Sequence, residues 1–571
     1  MAIRTRSVST CPSFLTALAL STLLVVGNPA TVTPVDAHAL RASATAASDR
    51  VDASAVTATT QVLVYGGTPA GIVAAISAAR TGVTVMLLEP TSHLGGMMAN
   101  GLAHTDVGDP STIGGITRSV FTRIQRRQGT GSSNFDLEPH IAERVFLDML
   151  RGEGVRVRYN ERLVRPGGAS VADGRIRSVA MTSGRRFAAT VFIDASYEGD
   201  LLAEAGVTFR IGRESRAAAG ESLAGRRPSR RMFRVPPGMD LPPIAPDAPG
   251  PVGSADLGIQ DSNFRLCLSS DPANRLPFRA PSGYRASEYA AVAAYLRARS
   301  ARLGLTPRLS WALMIKPTVD HKVDVNDGPG VSLALPGRNW SYPTASDAQR
   351  RSIHLAHQRW TKGLMYFLRT HPSIHVAIRG RLARYGWCAD EWTDNGHFPR
   401  QLYIREARRM VGSTMLRQAD ITTNRTKADV IGVGSYRLDM HDVTRWLGSD
   451  GYLYEEGWFS ASKKNYAIPY RILTPKRAEM RNLLVPVATS ATHVAWGSLR
   501  METQLMVMGE AAGRAAMLAV RGVKPTTSGW VTTGSPIPVQ DISVRALQTG
   551  LRARGSVLRV GLSLSTAVGS G

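Results

Sequence analysis

The residues of this 571-residue chain best spaced for chemistry lie between Gln61 and Glu89. An apolar run ending at Tyr65 breaks into Gly66-Gly67-Thr68-Pro69-Ala70-Gly71. An alanine-rich stretch then leads to Gly82, and a second apolar run ends on Glu89. Strand, glycine turn, helix, strand and acid in this order form a βαβ unit that binds a dinucleotide. Gly66 and Gly67 permit the sharp turn, Gly71 lets the helix pack on the sheet, and the helix N-terminus offers N–H groups to a pyrophosphate. Glu89 follows the first glycine by about twenty residues, where an acid takes up a ribose 2′-OH and favours FAD or NAD over NADP. Thr68 replaces the second glycine of the generic pattern, and its hydroxyl is expected to donate to the phosphates.

Composition bounds what else the chain can be. With 43% hydrophobic and 20% charged residues it is an ordinary globular protein, not a disordered or fibrous one, and its length predicts two domains. The formal charge of +25 comes mostly from scattered arginines, with one cluster at Arg226-Arg227-Pro228-Ser229-Arg230-Arg231. No nucleic-acid motif accompanies it, so no specific nucleic-acid partner is expected. Residues 1–39 read as an export signal: Arg4 and Arg6, an apolar stretch from Phe14 to Val26, and a small-x-small site at Ala37-His38-Ala39. That apolar stretch is shorter than the roughly 20 residues needed to cross a bilayer. A secreted or periplasmic protein without an integral span is expected once the signal is removed. Cys11 lies in the signal, which leaves Cys267 and Cys388 for at most one disulfide, and no metal site is expected.

The elements that must position the glycine turn occupy residues 61–205 and 482–525, a discontinuous Rossmann-like domain. Residues 40–60 read as a flexible linker, 206–481 as an inserted α+β substrate domain, and 526–571 as a C-terminal tail with a short helix over Ile542–Arg554. The fold class is α/β. Within the first segment, Glu138–Glu153 has the pattern of an amphipathic helix. Val155–Tyr159, Ile176–Met181 and Arg186–Thr190 read as strands of a small separate β layer. The next strand breaks at Asp194-Ala-Ser-Tyr-Glu-Gly-Asp200, which directs Asp194 or Asp200 towards the cofactor. The inserted region carries helices over Ser287–Ala301 and Ala345–Arg369. Its loops, rich in His, Trp, Tyr and Arg, suit a polar, aromatic-lined cleft. Small residues at Gly509, Ala512, Gly513 and Ala516 lie on successive helical turns and allow close approach to a neighbour or a ring system.

Taken together, the segments Tyr65–Gly71, Leu94-Gly95-Gly96, Asp194–Asp200, Gln260–Leu268, Lys322–Asn326, Gln401–Arg409, Asp439-Met-His441 and Gly497–Glu502 resemble the bacterial FAD-dependent oxidoreductases distantly related to the flavoprotein subunits of fumarate reductase and succinate dehydrogenase. The resemblance covers most of residues 61–520. It implies a noncovalent FAD near Gly66, Gly67, Thr68, Ala70, Gly71, Glu89, Gly95, Gly96, Asp194, Gly497, Arg500, Met501 and Gly513. No histidine stands in the glycine-rich setting of covalent relatives, and His104 is the nearest.

The activity implied is hydride transfer from a small organic or sugar-like substrate to flavin, the electrons passing on to an unassigned acceptor. His441 and His493, beside the implied flavin segments, are candidate proton acceptors. Arg405 and Arg409, four apart as on one helical face, and Arg265 are candidate substrate anchors. A fumarate-reductase-like reduction of an activated C=C, with Arg405 or Arg409 as acid, is the alternative. A noncatalytic carbohydrate-binding protein that keeps the flavin fold is a third.

Overall fold

Burial on both faces marks the central strand. In Ala58–Tyr65 (β1), the last four residues are all buried, as a parallel strand covered on both sides requires. The structure, a computed structural model, describes residues 55–130, 135–245, 248–423 and 427–559. The export signal and most of the linker lie outside the described residues. From β1 the chain passes through Pro69–Ala79 (α1), Val85–Leu88 (β2), Gly96–Asn100 (α2), Gly115–Gln128 (α3), Pro139–Gly152 (α4), Arg156–Arg158 (β3), Ala169–Ala172 (β4), Arg175–Ala180 (β5) and Arg186–Asp194 (β6). The main sheet has the order β3-β2-β1-β6-β5-β4. The pairings from β3 to β6 are parallel, and β5 and β4 are antiparallel additions.

That order corrects the expectation of a separate β layer. β3 closes one edge of the main sheet by pairing with β2, far back in the chain, and Arg186–Thr190 is the first part of β6, so its antiparallel neighbour β5 and the edge strand β4 continue the same sheet. It also fixes the ligand crevice. β1 sends its crossover helix α1 to β2 on one side while β6 lies on the other, so the chain order reverses at the carboxyl end of β1. Ligands of open α/β sheets collect at such a switch point, and the Gly66–Gly71 turn stands there.

Side chains alternate across the sheet with the period of a strand. Val62, Val64, Val85, Leu87, Val191 and Ile193 enter one apolar cluster, whereas Leu63, Tyr65, Met86, Leu88 and Phe192 enter another. A further cluster draws almost entirely on residues 233–407, so the middle of the chain has its own core. This region is built on an antiparallel sheet of Leu266–Ser269 (β7), Leu313–Pro317 (β8), Lys322–Asp327 (β9) and Gly386–Cys388 (β10), ordered β10-β7-β9-β8 with Arg275–Leu276 beside β10. Ala290–Leu303 (α5) and Asp347–Thr370 (α6) cover it. α6 begins at a capping box: Ser346 Oγ accepts from Gln349 N–H, and the Gln349 side chain accepts from Ser346 N–H.

The chain then forms the antiparallel pair Leu438–Met440 (β11) and Phe459–Ala461 (β12) and returns to β6 through Leu483–Leu484 (β13). His493–Leu499 (α7) and Glu502–Arg521 (α8) follow, and Val544–Arg552 (α9) packs back on α8. The segment read as a tail is therefore part of the core: Ile537, Val539, Ile542, Leu547, Leu551 and Leu558 join the cluster under α1 and α8. Among the described residues, no helix is long and apolar enough to cross a membrane.

Candidate active site

The glycine turn is held by contacts that only small residues allow. Gly66 has φ +99°, and a Cβ there would lie 2.8 Å from the Ser196 backbone nitrogen of the neighbouring strand end. A Cβ on Gly71 would lie 2.0 Å from the Gly66 carbonyl oxygen. Gly67 N–H donates to Glu89 Oε2 at 2.8 Å, and Glu89 Oε1 accepts from the N–H and hydroxyl of Thr91 at 2.8 and 2.7 Å. Oε2 keeps acceptor capacity for a ligand hydroxyl. Burial raises the carboxyl pKa, while the Thr91 and Gly67 donors lower it.

Two expectations fail here for the same reason, prior engagement. The Thr68 hydroxyl does not face the phosphate crevice. It donates to Ala195 O at 2.8 Å and accepts from Gly71 N–H at 3.1 Å, capping α1. Asp194 is fully buried: Oδ1 accepts from the N–H and hydroxyl of Ser196, and Oδ2 from Leu202 N–H. Burial lifts its pKa to about 6. Asp200 is likewise taken up by Arg350, Arg408 and Arg165.

The second glycine segment closes on the first, with Gly95 N–H donating to Gly67 O at 2.7 Å. A Cβ on Gly96 would lie 2.5 Å from the Tyr197 hydroxyl. That hydroxyl accepts from Met97 N–H at 3.0 Å and donates to Glu502 Oε1 at 2.6 Å. Met501, the N-cap of α8, brings Glu502 to this point, and Glu502 Oε2 is buried without a partner. Burial pushes the Glu502 pKa up to about 7. A glycine cradle at a switch point, a helix N-terminus free of acids in its first turn, a carboxylate with spare acceptor capacity and an orphaned carboxyl oxygen fit a dinucleotide such as FAD.

Beyond Arg500 opens a cavity of about 830 Å³, lined by His104, Arg265, Lys316, Tyr403, His441 and Arg500 among others. One wall is the face of β8 and β9, where Lys316 stands opposite Asp324 and Met314 opposite Asn326. Another is the β11–β12 pair, where Asp439 faces Ser460. Arg500, at the end of α7, donates to the Tyr403 hydroxyl and to Asp439 O, each at 3.0 Å. His441 Nδ1 is 3.6 Å from Asp261 Oδ1. Burial holds the imidazole pKa well below its usual value, and Arg405, Arg500, Arg265 and Arg437 lower it further. His441 is thus neutral at pH 7 and can accept a proton.

His104 also lines this cavity. Its Nδ1 lies 2.6 Å from Asp136 Oδ1 and its Nε2 lies 2.5 Å from Lys316 Nζ. No local motif announces this trio, because its members are 32 and 212 residues apart.

The other candidates lie elsewhere. His493 is buried outside the cavity, its Nδ1 2.9 Å from Glu406 Oε1. The Arg405–Arg409 segment is not helical. Tyr403 forms an antiparallel bridge with Asn263 and Arg409 pairs with Arg210, so the chain between them is extended. Arg409 binds Glu214 and Ala491 O in the interior, away from the cavity. Arg405 sits one layer behind it, bonded to Asp261 at 3.1 Å and stacked under Tyr403. Gly497 and Gly513 serve packing: a Cβ would lie 2.3 Å from Met440 Sδ and 2.1 Å from Ala74 O respectively. Ala70 is buried against α8, where Gly509 meets its carbonyl.

Cys267 and Cys388 face each other across β7 and β10 with Sγ atoms 3.0 Å apart. Two groups of carboxylates and histidines gather among the described residues, and each already has a protein cation beside it. Lys322 Nζ sits among Glu138, Asp390 and Glu391, and Arg405 adjoins the Asp261, Asp327 and His441 group.

Comparison with known proteins adds a family. The sequence profile of the family described as FAD dependent oxidoreductase matches residues 61–527. No protein of curated function matches the chain. Among solved structures, the 3-ketosteroid-delta4-(5alpha)-dehydrogenase of Rhodococcus jostii RHA1 is 15% identical over 27% of this chain and 50% of its own, with a TM-score of 0.19. The Diels-Alderase PyrE3 of pyrroindomycin biosynthesis is 11% identical over 88% of this chain and 74% of its own, with a TM-score of 0.32. NikD, an amino acid oxidase of nikkomycin biosynthesis, is 13% identical over 27% and 55%, with a TM-score of 0.21. This chain spans half the length of the first of these, and at such TM-scores none of the three bears on its activity.

Proposed function

Because this chain belongs to the FAD dependent oxidoreductase family, we propose that it oxidises a small, polar, hydroxyl- or amine-bearing molecule held in the cavity beyond Arg500. Bound FAD supplies the hydride acceptor. Gly66, Gly67, Gly71 and the α1 N-terminus would hold its pyrophosphate, and Glu89 a ribose hydroxyl. The polypeptide orients the substrate and manages the proton. His441 on the cavity wall takes the proton of the substrate hydroxyl or ammonium, with Asp261, itself paired with Arg405, 3.6 Å behind its Nδ1.

The observation that carries this reading is the position of His441. It is an imidazole kept neutral by burial and surrounding arginines, facing a cavity that Arg500 joins to the Met501–Glu502 turn and the glycine cradle. The protein is expected to purify with, or to take up, an equivalent of flavin that acid precipitation releases into solution. Anaerobic addition of alcohols, amines, sugars and hydroxy acids should bleach the flavin for at least one class. A flavin-replete protein that no member of the panel reduces would speak for the noncatalytic alternative. The reading includes export by residues 1–39, which cell fractionation checks.

A further inference from the structure

Charge is unevenly matched in the cavity. Eight of its lining residues are arginine or lysine and five are aspartate. Arg265 and Arg500, both in its lining, are almost wholly buried. Arg265 meets a single carboxylate, Asp324, whose other oxygen already accepts Ala103 N–H at 3.0 Å. Arg500 meets a phenol, a backbone carbonyl and, at 3.4 Å, one oxygen of Asp439. The Nε–H of each is buried without an acceptor. Two guanidiniums withdrawn from water and under-supplied with acceptors favour an incoming anion, because a buried charge is tolerated only when paired and hydrogen-bonded. Arg265 and Arg500 line the same cavity as Tyr403 and His441. Arg437, 58% exposed by side chain, also lines the cavity and adds positive potential.

We propose that the substrate is a small organic acid, its carboxylate held between Arg265 and Arg500 beside the Tyr403 hydroxyl, and its oxidisable carbon turned towards His441. This rests on the flavoenzyme reading above for the word substrate, but the binding site itself does not. A guanidinium binds a carboxylate with two parallel N–H donors, whereas a neutral sugar or alcohol of the same size leaves the charge uncompensated. Lys316, held on His104 at the β8–β9 face, is a further cation for a second carboxylate or an acidic sugar.

Calorimetric titration of the full-length, FAD-loaded protein tests this with paired probes: glycolate against ethylene glycol, succinate against butane-1,4-diol, and glucuronate against glucose. At least one carboxylate should bind, its neutral partner at least tenfold more weakly. The oxidised flavin spectrum should shift only with the acid. Arg265→Gln should cost tenfold or more in affinity for the acid while flavin content stays the same, and Arg265→Lys should recover part of the loss. Neutral partners binding as tightly as the acids, or no acid binding to flavin-replete protein, overturns the proposal. Protein that takes up no flavin would instead sink the oxidoreductase reading, and the same titrations on it still decide the anion site. If the Arg265 variants fail to fold, the paired titrations of the unaltered chain suffice.

Discussion

Two histidines looked equivalent in sequence and differ in what surrounds them. His441 faces the cavity and is kept neutral, whereas His493 is buried against Glu406 outside it. His441→Gln should lower turnover by about 10²–10⁴-fold, the range of a lost general base, with flavin absorbance and melting temperature little changed. His493→Ala should instead destabilise the fold by about 2 kcal/mol, because it leaves the buried Glu406 carboxylate short of a donor; thermal denaturation with kinetics separates the two. Glu502 carries a pH signature. Its folded pKa of about 7 lies above an ordinary carboxyl value, so the folded state holds its proton more tightly than the unfolded state does. Its contribution to stability is therefore lost as pH rises from about 4.5 through 7, with a ceiling of about 3 kcal/mol for a shift of this size. Asp442, also near 7, adds a term of the same sign. Glu502→Gln should flatten the fall in melting temperature between pH 5 and 8, and an unchanged slope would remove Glu502 from the account. None of this was legible from residue type alone. His493 stands just before Gly497 and His441 much farther from the implied flavin residues in sequence, yet it is His441 that lines the cavity.

At the scale of elements, legibility followed the range of the interactions. The unit from β1 to β2 is specified by apolar runs, glycines and an acid within thirty residues, and it stands where the sequence placed it. The Arg405–Arg409 segment shows the converse. A four-residue spacing is the same number on a helix and in an extended chain, and here Asn263 and Arg210 impose the extended form from afar. β3 and β5 read correctly as strands but not as parts of the main sheet: the partner of β3 lies far back in the chain, and β5 joins through its neighbour β6, which itself pairs with the distant β1. The small-residue stripe at Gly509 and Gly513 was visible, and only the structure shows that it meets α1 rather than a ring system. A methyl group at either position would press to within 2.2 Å of an α1 carbonyl oxygen, so helix α8 must move off α1. Gly513→Ala is expected to destabilise by about 3 kcal/mol. Because α1 carries the glycine cradle, flavin content should fall with it. A variant that melts as the parent does while losing flavin would instead place Gly513 at the cofactor.

The whole molecule is tied together by segments distant in sequence. Cys267 and Cys388, 121 residues apart, lie against Ala103 and Trp392, and Ala103 adjoins His104 in the chain. The C-terminal segment makes the strongest such tie. Six of its apolar side chains, from Ile537 to Leu558, are buried with the β1–α1–α8 core, and Tyr470 donates to Val539 O at 2.7 Å beneath them. Burying each such side chain is worth about 1.5–3 kcal/mol, so the six together contribute on the order of 10 kcal/mol. That is comparable to the entire stability of an ordinary domain, about 5–15 kcal/mol. A chain ending at Gly534 should therefore lose more than a peripheral tail. It should be insoluble or rapidly cleaved by trypsin, and it should retain no flavin, because the face it exposes is the one that supports α1 and α8. A chain ending at Arg559 keeps all six residues and should match the full-length protein in melting temperature and flavin content. Should the shorter chain fold and bind flavin normally, the C-terminal segment would be an appendage after all, and the stability of the cofactor domain would rest on the sheet alone.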